Sequence, residues 1–363
     1  GHDLAQANLY GFARLAWRPT LSAGQIADEW TRLTFGHDRR VVETVAGILL
    51  DSWPAYERYT GPLGAGTLTD IIGVHYGPGV ESSERNGWGQ WHRADHDGVG
   101  MDRTVATGTG FIGQYSPSVA ARYESLSTCP DELLLFMHHV PYTHVLKSGK
   151  TVMQHIYDSH YDGAAQAAAF VERWRALAAL VDRDRYGAVL GRLEYQAGHA
   201  IVWRDAVTNW FTRESGIADA HARVGRAEGR IEAESMTLDG YVARAVTPWE
   251  TASGGRAIAC ERAACAAAYR FAGPAGRYDL VVQYFDENDG ASSFALTIGG
   301  REVDRWSASA DLPSAEPNGH TSTRRIVRGA TLAPGDVVRI DARPDRGERA
   351  AVDYLEIVAL NRP

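Results

Sequence analysis

Tyr278-Asp279-Leu280-Val281-Val282-Gln283-Tyr284 sets Tyr278, Leu280, Val282 and Tyr284 at every second position, the spacing that puts them on one face of an extended strand. Two runs downstream repeat the pattern, Phe294, Leu296, Ile298 and then Val338, Ile340, Ala342. Turn signals at Asp289-Gly290, Gly299-Gly300 and Pro334-Gly335 lie around and between these runs. Short half-buried strands punctuated in this way predict a β-sandwich over residues 231–363.

Upstream, the period changes. Residues 217–230 are rich in Gly, Ala and charge and carry no stripe, as a linker would. Through residues 151–211 the spacing is helical. Phe170, Trp174, Leu177 and Val181 form one stripe, and Tyr186, Val189, Leu190, Leu193, Ala197 and Ile201 another; both read as core. Nearer the start, Leu4, Ala7, Leu9, Phe12, Leu15 and Ala16 recur at helical spacing before Pro19. Ser22 with Gln25 makes a capping box for a helix whose buried face carries Ile26, Trp30 and Leu33. A third helix is expected over 39–50 and another beyond Pro130. The chain is thus a multi-domain α + β protein: a mainly helical region over 1–216, a linker over 217–230, and the sandwich.

The length of 363 residues suits two domains. A net charge of −8 argues against nucleic acid or an anionic membrane as partner, and no apolar run is long enough to span a bilayer. No charged-then-apolar segment opens the chain. Because residue 1 falls inside what reads as a helix, a further N-terminal part is expected, and periplasmic, secreted and cytoplasmic placement all stay open. Of three cysteines, Cys129 stands apart while Cys260 and Cys265 are close enough to bridge a tight turn in an oxidising compartment.

Between residues 75 and 115, aromatic, imidazole and charged groups interleave with glycines, a pattern of neither helix nor strand and typical of a recognition loop. Sugars present flat apolar faces with polar rims, so a pocket for them needs aromatic platforms beside charged groups. Trp88, Trp91, His92, Arg93 and Asp95 supply both. For an acidic sugar, Arg93 or Arg103 offers a fork to a carboxylate; alternatively Arg93, Asp95, Asp102 and Arg103 pair with one another and hold the loop. Gly108, Gly110 and Gly113 match a dinucleotide fingerprint but lack its strand and helix context. His138, His139 and His144 lack the partners of a zinc site and read as structural.

The order of these motifs, with Gly1-His2-Asp3-Leu4-Ala5-Gln6-Ala7-Asn8-Leu9-Tyr10 and Pro130-Asp131-Glu132-Leu133-Leu134-Leu135, resembles the C-terminal third of the family-67 alpha-glucuronidases over about residues 1–216. The resemblance implies removal of (4-O-methyl)glucuronic acid from xylan-derived acidic oligosaccharides. It also implies that residues 1–17 match the last helix of a catalytic barrel and that the region adds an aromatic wall, Trp88 or Trp91, and dimer contacts. Inverting hydrolysis needs an acid and a base across the sugar ring, and the family carries these on barrel strands preceding Gly1. No catalytic residue is therefore expected in this chain and no cofactor for catalysis. Taken alone it is expected to be inactive, the alternative being a stand-alone, non-catalytic carbohydrate-binding protein.

The sandwich resembles the carbohydrate-binding modules of families 6 and 35, from Ile231-Glu232-Ala233-Glu234 at its start to Val352-Asp353-Tyr354-Leu355-Glu356-Ile357 at its end. A jelly roll is implied, with sugar bound by loops at one end and candidate contacts Trp249, Phe285, Asp286, Asn288 and Asp289. A structural calcium held by Glu232, Glu234 and Asp353 is implied as well, since residues two apart leave one face of a strand and Asp353 joins them if the last strand pairs alongside. Arg346, Glu348 and Arg349 occupy the loop where many such modules carry an asparagine, which favours an acidic or decorated ligand.

Overall fold

The computed structural model describes residues 2–65, 77–80, 94–95 and 97–360. Helices α1 (Gln6–Trp17), α2 (Ala23–Phe35) and α3 (Arg39–Thr60) open the chain. The capping box forms as expected: Ser22 Oγ accepts from Gln25 N–H at 3.2 Å while Gln25 Oε1 accepts from Ser22 N–H at 2.9 Å. Asp38 caps α3, which continues beyond the expected end at Leu50, takes Pro54 into its interior and buries Ala55 and Tyr59. Short helices α4 (Pro117–Glu124) and α5 (Leu134–Met137) precede two long ones, α6 (Val152–Arg175) and α7 (Arg183–Ser215).

The chain divides into two compact units, Gly1–Pro62 with Asp158–Arg204 and Leu63–Tyr157 with Asp205–Pro363. In the first, the stripes read from sequence interlock: Trp30, Val41, Val45 and Ile48 meet Phe170, Trp174, Leu177, Val189 and Leu193. Trp174 stacks on Tyr186 and donates its indole N–H to the Tyr186 carbonyl at 3.1 Å. One expectation fails here. Leu33 falls off the buried stripe of Ile26, Ala27, Trp30 and Thr31 and is 74% exposed. No α1 residue is buried, and Leu9, Phe12 and Trp17 face outward.

In the second unit, β1 (Gly98–Val99) pairs with β2 (Val140–Pro141) in the loop-rich part. The sandwich follows: β3 (Arg230–Glu232), β4 (Thr237–Asp239), β5 (Tyr241–Ala245), β6 (Arg256–Cys260), β7 (Cys265–Arg270), β8 (Gly276–Phe285), β9 (Ser293–Ile298), β10 (Arg301–Ser307), β11 (Ser322–Leu332), β12 (Val337–Arg343) and β13 (Val352–Ala359). Among the described residues the strands form two antiparallel sheets, ordered β10-β9-β12-β7-β4 and β11-β8-β13-β6-β5, with β3 paired to β13. The period-two residues all enter one core: Tyr278, Leu280, Val282 and Tyr284 face Phe294, Leu296, Ile298, Val338, Ile340 and Ala342. Cys260 and Cys265 are joined across the β6–β7 turn.

The break in periodicity at residue 216 marks the end of α7 but not the border between units, because the loop-rich residues 63–157 cluster with the sandwich. Nor is the segment after α7 a free linker. Asp219 is buried, accepts from Gln154 Nε2 at 2.9 Å and is forked by Arg223. The Arg223 hydrogen bonds outweigh burial and hold its carboxyl well below the usual range. On β3, Arg230 binds Asp205 of α7 at 3.0 Å and Glu356 of β13 at 2.8 Å, with its guanidinium 3.9 Å above the Tyr354 ring.

Candidate functional site

Asp95, from the expected sugar-binding stretch, borders an open cleft. Its Oδ1 accepts from the Asp97 and Gly98 amides at 2.9 and 3.0 Å, an Asx turn that leads into β1. The carbonyl of Asp95 accepts from Tyr142 O–H at 2.7 Å, and Asp95 Oδ1 lies 3.4 Å from His139 Nε2. His139 is held from behind, Nδ1 being 2.8 Å from the Gly100 carbonyl. Asp95, Met101, Asp102, Thr107, Thr109 and His139 border an open cleft of about 460 Å³. Asp102 accepts from the Thr104 and Thr107 hydroxyls at 2.7 and 2.8 Å; burial works against its charge, but these bonds outweigh it and hold the carboxyl below the usual range. Carboxylate, imidazole and hydroxyl groups on a rigid loop framework are the equipment for hydrogen-bonding a polyol.

Trp88, Trp91, His92 and Arg93 lie outside the described residues. Arg103 does not present an open fork: it is buried, with its guanidinium 3.7 Å above the Phe136 ring and 5.2 Å from Phe111. Of the three histidines, His138 Nε2 meets the Tyr123 carbonyl at 2.7 Å, a structural use like that of His139 Nδ1. The pairing of His139 with Asp95 was not legible, since the residues are brought together only by the β1–β2 pair. The Gly108, Gly110, Gly113 triplet sits in a loop and a 3-10 turn (Phe111–Gln114), without the strand and helix a dinucleotide fold needs.

In the sandwich the candidate sugar contacts separate. Phe285 is fully buried against Val246, Ala252, Ala257 and Ala351, so it is core and not a platform. Asp286 is also buried and its carboxylate accepts from the Ala310 amide. Burial overrides the surface role expected of these two, because β8 extends through Phe285. Trp249 is half-buried with the Arg213 guanidinium 4.5 Å above its ring. Asn288 is exposed, and Asp289 is half-buried with Oδ1 unpartnered.

The three carboxylates expected to hold calcium are distributed differently from the expectation. β3 ends at Glu232, and Glu234 lies in the 3-10 turn Ala233–Ser235, so the two do not share a strand face. β13 does pair with β3, Tyr354 opposite Glu232, which brings Asp353 alongside. Glu232 Oε1 accepts from Ser253 Oγ at 2.7 Å and Asp353 from the Ser253 amide at 3.0 Å. Glu232 Oε2 and Glu234 Oε2 are buried without a hydrogen-bond partner. Burial first, then the Glu232 charge, push Asp353 well above the usual carboxylate range, and burial raises Glu232 as well. Orphaned buried carboxylate oxygens are what a hard cation satisfies. Among the described residues, however, no three His, Cys, Asp or Glu side chains are closed into a metal-ligand set.

The chain matches the family described as Glycosyl hydrolase family 67 C-terminus over residues 1–224. Alpha-glucuronidase A of Aspergillus tubingensis is 47% identical over 366 residues, covering 99% of this chain and 44% of that protein. "Probable alpha-glucuronidase A" of Aspergillus flavus is 48% identical over 365 residues, with the same coverages of 99% and 44%. The chain therefore spans less than half the length of these curated relatives. Among solved structures, a family 35 carbohydrate binding module from Clostridium thermocellum is 18% identical, covering 36% of this chain and 98% of that one at a TM-score of 0.30.

Proposed function

The chain belongs to glycosyl hydrolase family 67, whose C-terminal region it forms, and on that premise we propose that it is the non-catalytic part of an alpha-glucuronidase removing (4-O-methyl)glucuronic acid from xylan oligosaccharides. In this reading the acid and base belong to the portion of the enzyme that this chain does not span, and the chain shapes the substrate pocket. The observation that carries the proposal is the near-half identity to proteins named alpha-glucuronidase A over 99% of this chain, helical region and sandwich together. The Asp95–His139 cleft supplies hydrogen-bonding groups for sugar hydroxyls, and the aromatic stretch beside it in sequence supplies the platform, Trp88 or Trp91. A homodimer completes the assembly in this reading. Calcium at Glu232, Glu234 and Asp353 is part of the same proposal and rests on the orphaned carboxylate oxygens.

The test is turnover of aldouronic oligosaccharides by the full gene product and by residues 1–363 alone. Release of the uronic acid by the first and not by the second is expected. Turnover by the isolated chain that disappears on replacing Asp95 or Asp102 would relocate the chemistry here. A full-length product inactive on these substrates would remove the proposal.

A further inference from the structure

The sandwich touches the loop-rich segment at a place the sequence did not mark. Gly77 donates its amide to His320 Nδ1 at 2.9 Å, across 243 positions of chain, and His320 is 1% exposed. Beside this bond the two backbones approach without room for a side chain. A Cβ on Gly77 would lie 2.1 Å from the Gly319 carbonyl oxygen, and one on Gly319 would lie 2.5 Å from the Pro78 carbonyl oxygen. At Gly319, whose φ is not left-handed, close approach and not backbone conformation is what requires glycine, and at Gly77 the same approach leaves no room for a Cβ.

The loop that makes the contact is preorganised. Asn318 Oδ1 accepts from the His320 amide at 2.9 Å, Asn318 Nδ2 donates to Ser314 Oγ at 2.9 Å, and Thr321 Oγ1 accepts from the Asn318 amide at 3.1 Å. The Thr321 carbonyl in turn accepts from the Asp286 amide at 2.9 Å, tying the loop to the end of β8. Residues 77–80, all buried, therefore meet a rigid surface. They precede the aromatic stretch in sequence, and Asp95, which follows it, is held by Tyr142 and the Asx turn.

We propose that the sandwich is a positioning element for the substrate pocket: its 318–322 loop, through Gly319 and His320, fixes Gly77 and Pro78 and so one flank of the sugar-recognition stretch. The proposal rests on the reading of that stretch as the pocket-forming part of an alpha-glucuronidase. It gives the sandwich a task that does not require it to capture polysaccharide, in keeping with the burial of Phe285 and Asp286.

Amide hydrogen exchange in the 363-residue chain tests the contact without any activity. The Gly77 amide should be protected in the parent protein and exchange roughly five- to tenfold faster in His320→Ala, the loss of one buried hydrogen bond. His320→Asn, whose Oδ1 falls near the Nδ1 position, should restore most of the protection, while the Leu280 and Ile340 amides stay unchanged in both. Gly77→Ala, made outside the sandwich, should release residues 77–80 and leave the sandwich amides as they were. An unprotected Gly77 amide in the parent protein, or equal exchange in parent and His320→Ala, overturns the proposal. In the full-length enzyme His320→Ala should raise KM for an aldouronic oligosaccharide about tenfold with kcat held; kcat falling with KM unmoved also overturns it. If the full-length parent has no such activity the functional reading falls, and the exchange experiment still decides the contact.

Discussion

Glu287→Gln should stabilise the sandwich at neutral pH and leave it unchanged in acid. Glu287 is 3% exposed, its Oε1 is buried without a hydrogen-bond partner, and Glu348, 0% exposed, already accepts the Glu287 and Ser292 amides. Burial, then the charges of Glu348, Asp289 and Glu316, push Glu287 from its ordinary 4.5 up to about 8, and burial pushes Glu348 up to about 7. Between these limits the folded protein holds protons that the unfolded chain has released. The contribution to stability is therefore full below about pH 4.5 and is lost as pH rises through the folded values. At about 1.4 kcal/mol per pH unit, Glu287 alone costs roughly 3 kcal/mol between pH 5 and 7. The neutral glutamine removes that slope. Urea unfolding in chelator should show the variant about 2–3 kcal/mol more stable than the parent at pH 7 and equal to it at pH 5. A parent–variant difference that does not change between the two pH values would refute the reasoning.

Arg230→Met leaves Asp205 and Glu356 facing each other at low exposure, so it should cost about 3–5 kcal/mol in urea unfolding; a change under about 0.5 kcal/mol would make the cluster a surface pair. Chelation should lower the melting temperature of the sandwich if calcium joins Glu232, Glu234 and Asp353, and added calcium should restore it, by about 2.7 kcal/mol at a hundred times Kd. Melting indifferent to both treatments removes the ion. Asp95→Asn weakens the charge facing His139 while keeping an acceptor for the Asp97 and Gly98 amides, so full-length turnover should fall several-fold with the melting temperature held; unchanged turnover would place the cleft outside the substrate site.

The sandwich was legible because each sheet buries one face in a single core, and Leu280, Val282, Leu296 and Ile340 follow the resulting period of two. The Ser22–Gln25 box and the Trp174 stripe were legible for the same reason, being local signals with local consequences. What failed was the placement of site residues. Val281, Gln283 and Phe285 occupy the outward positions of β8 and are nonetheless buried, Gln283 by Arg324 and Tyr354, so Phe285 and Asp286, taken as sugar contacts from the resemblance to binding modules, lie in the interior. Glu234 was misplaced because a 3-10 turn interrupts the strand after Glu232. The Gly77–Gly319 approach and the Asp95–His139 pair join distant segments and leave no periodic trace in either.

The claim that this chain completes the sugar pocket is tested most directly by Trp88→Ala and Trp91→Ala in the full-length enzyme. An aromatic wall over the uronic acid is worth about 1–3 kcal/mol, so one of the two variants should lose tenfold or so in kcat/KM at an unchanged melting temperature. Full activity in both would contradict the account.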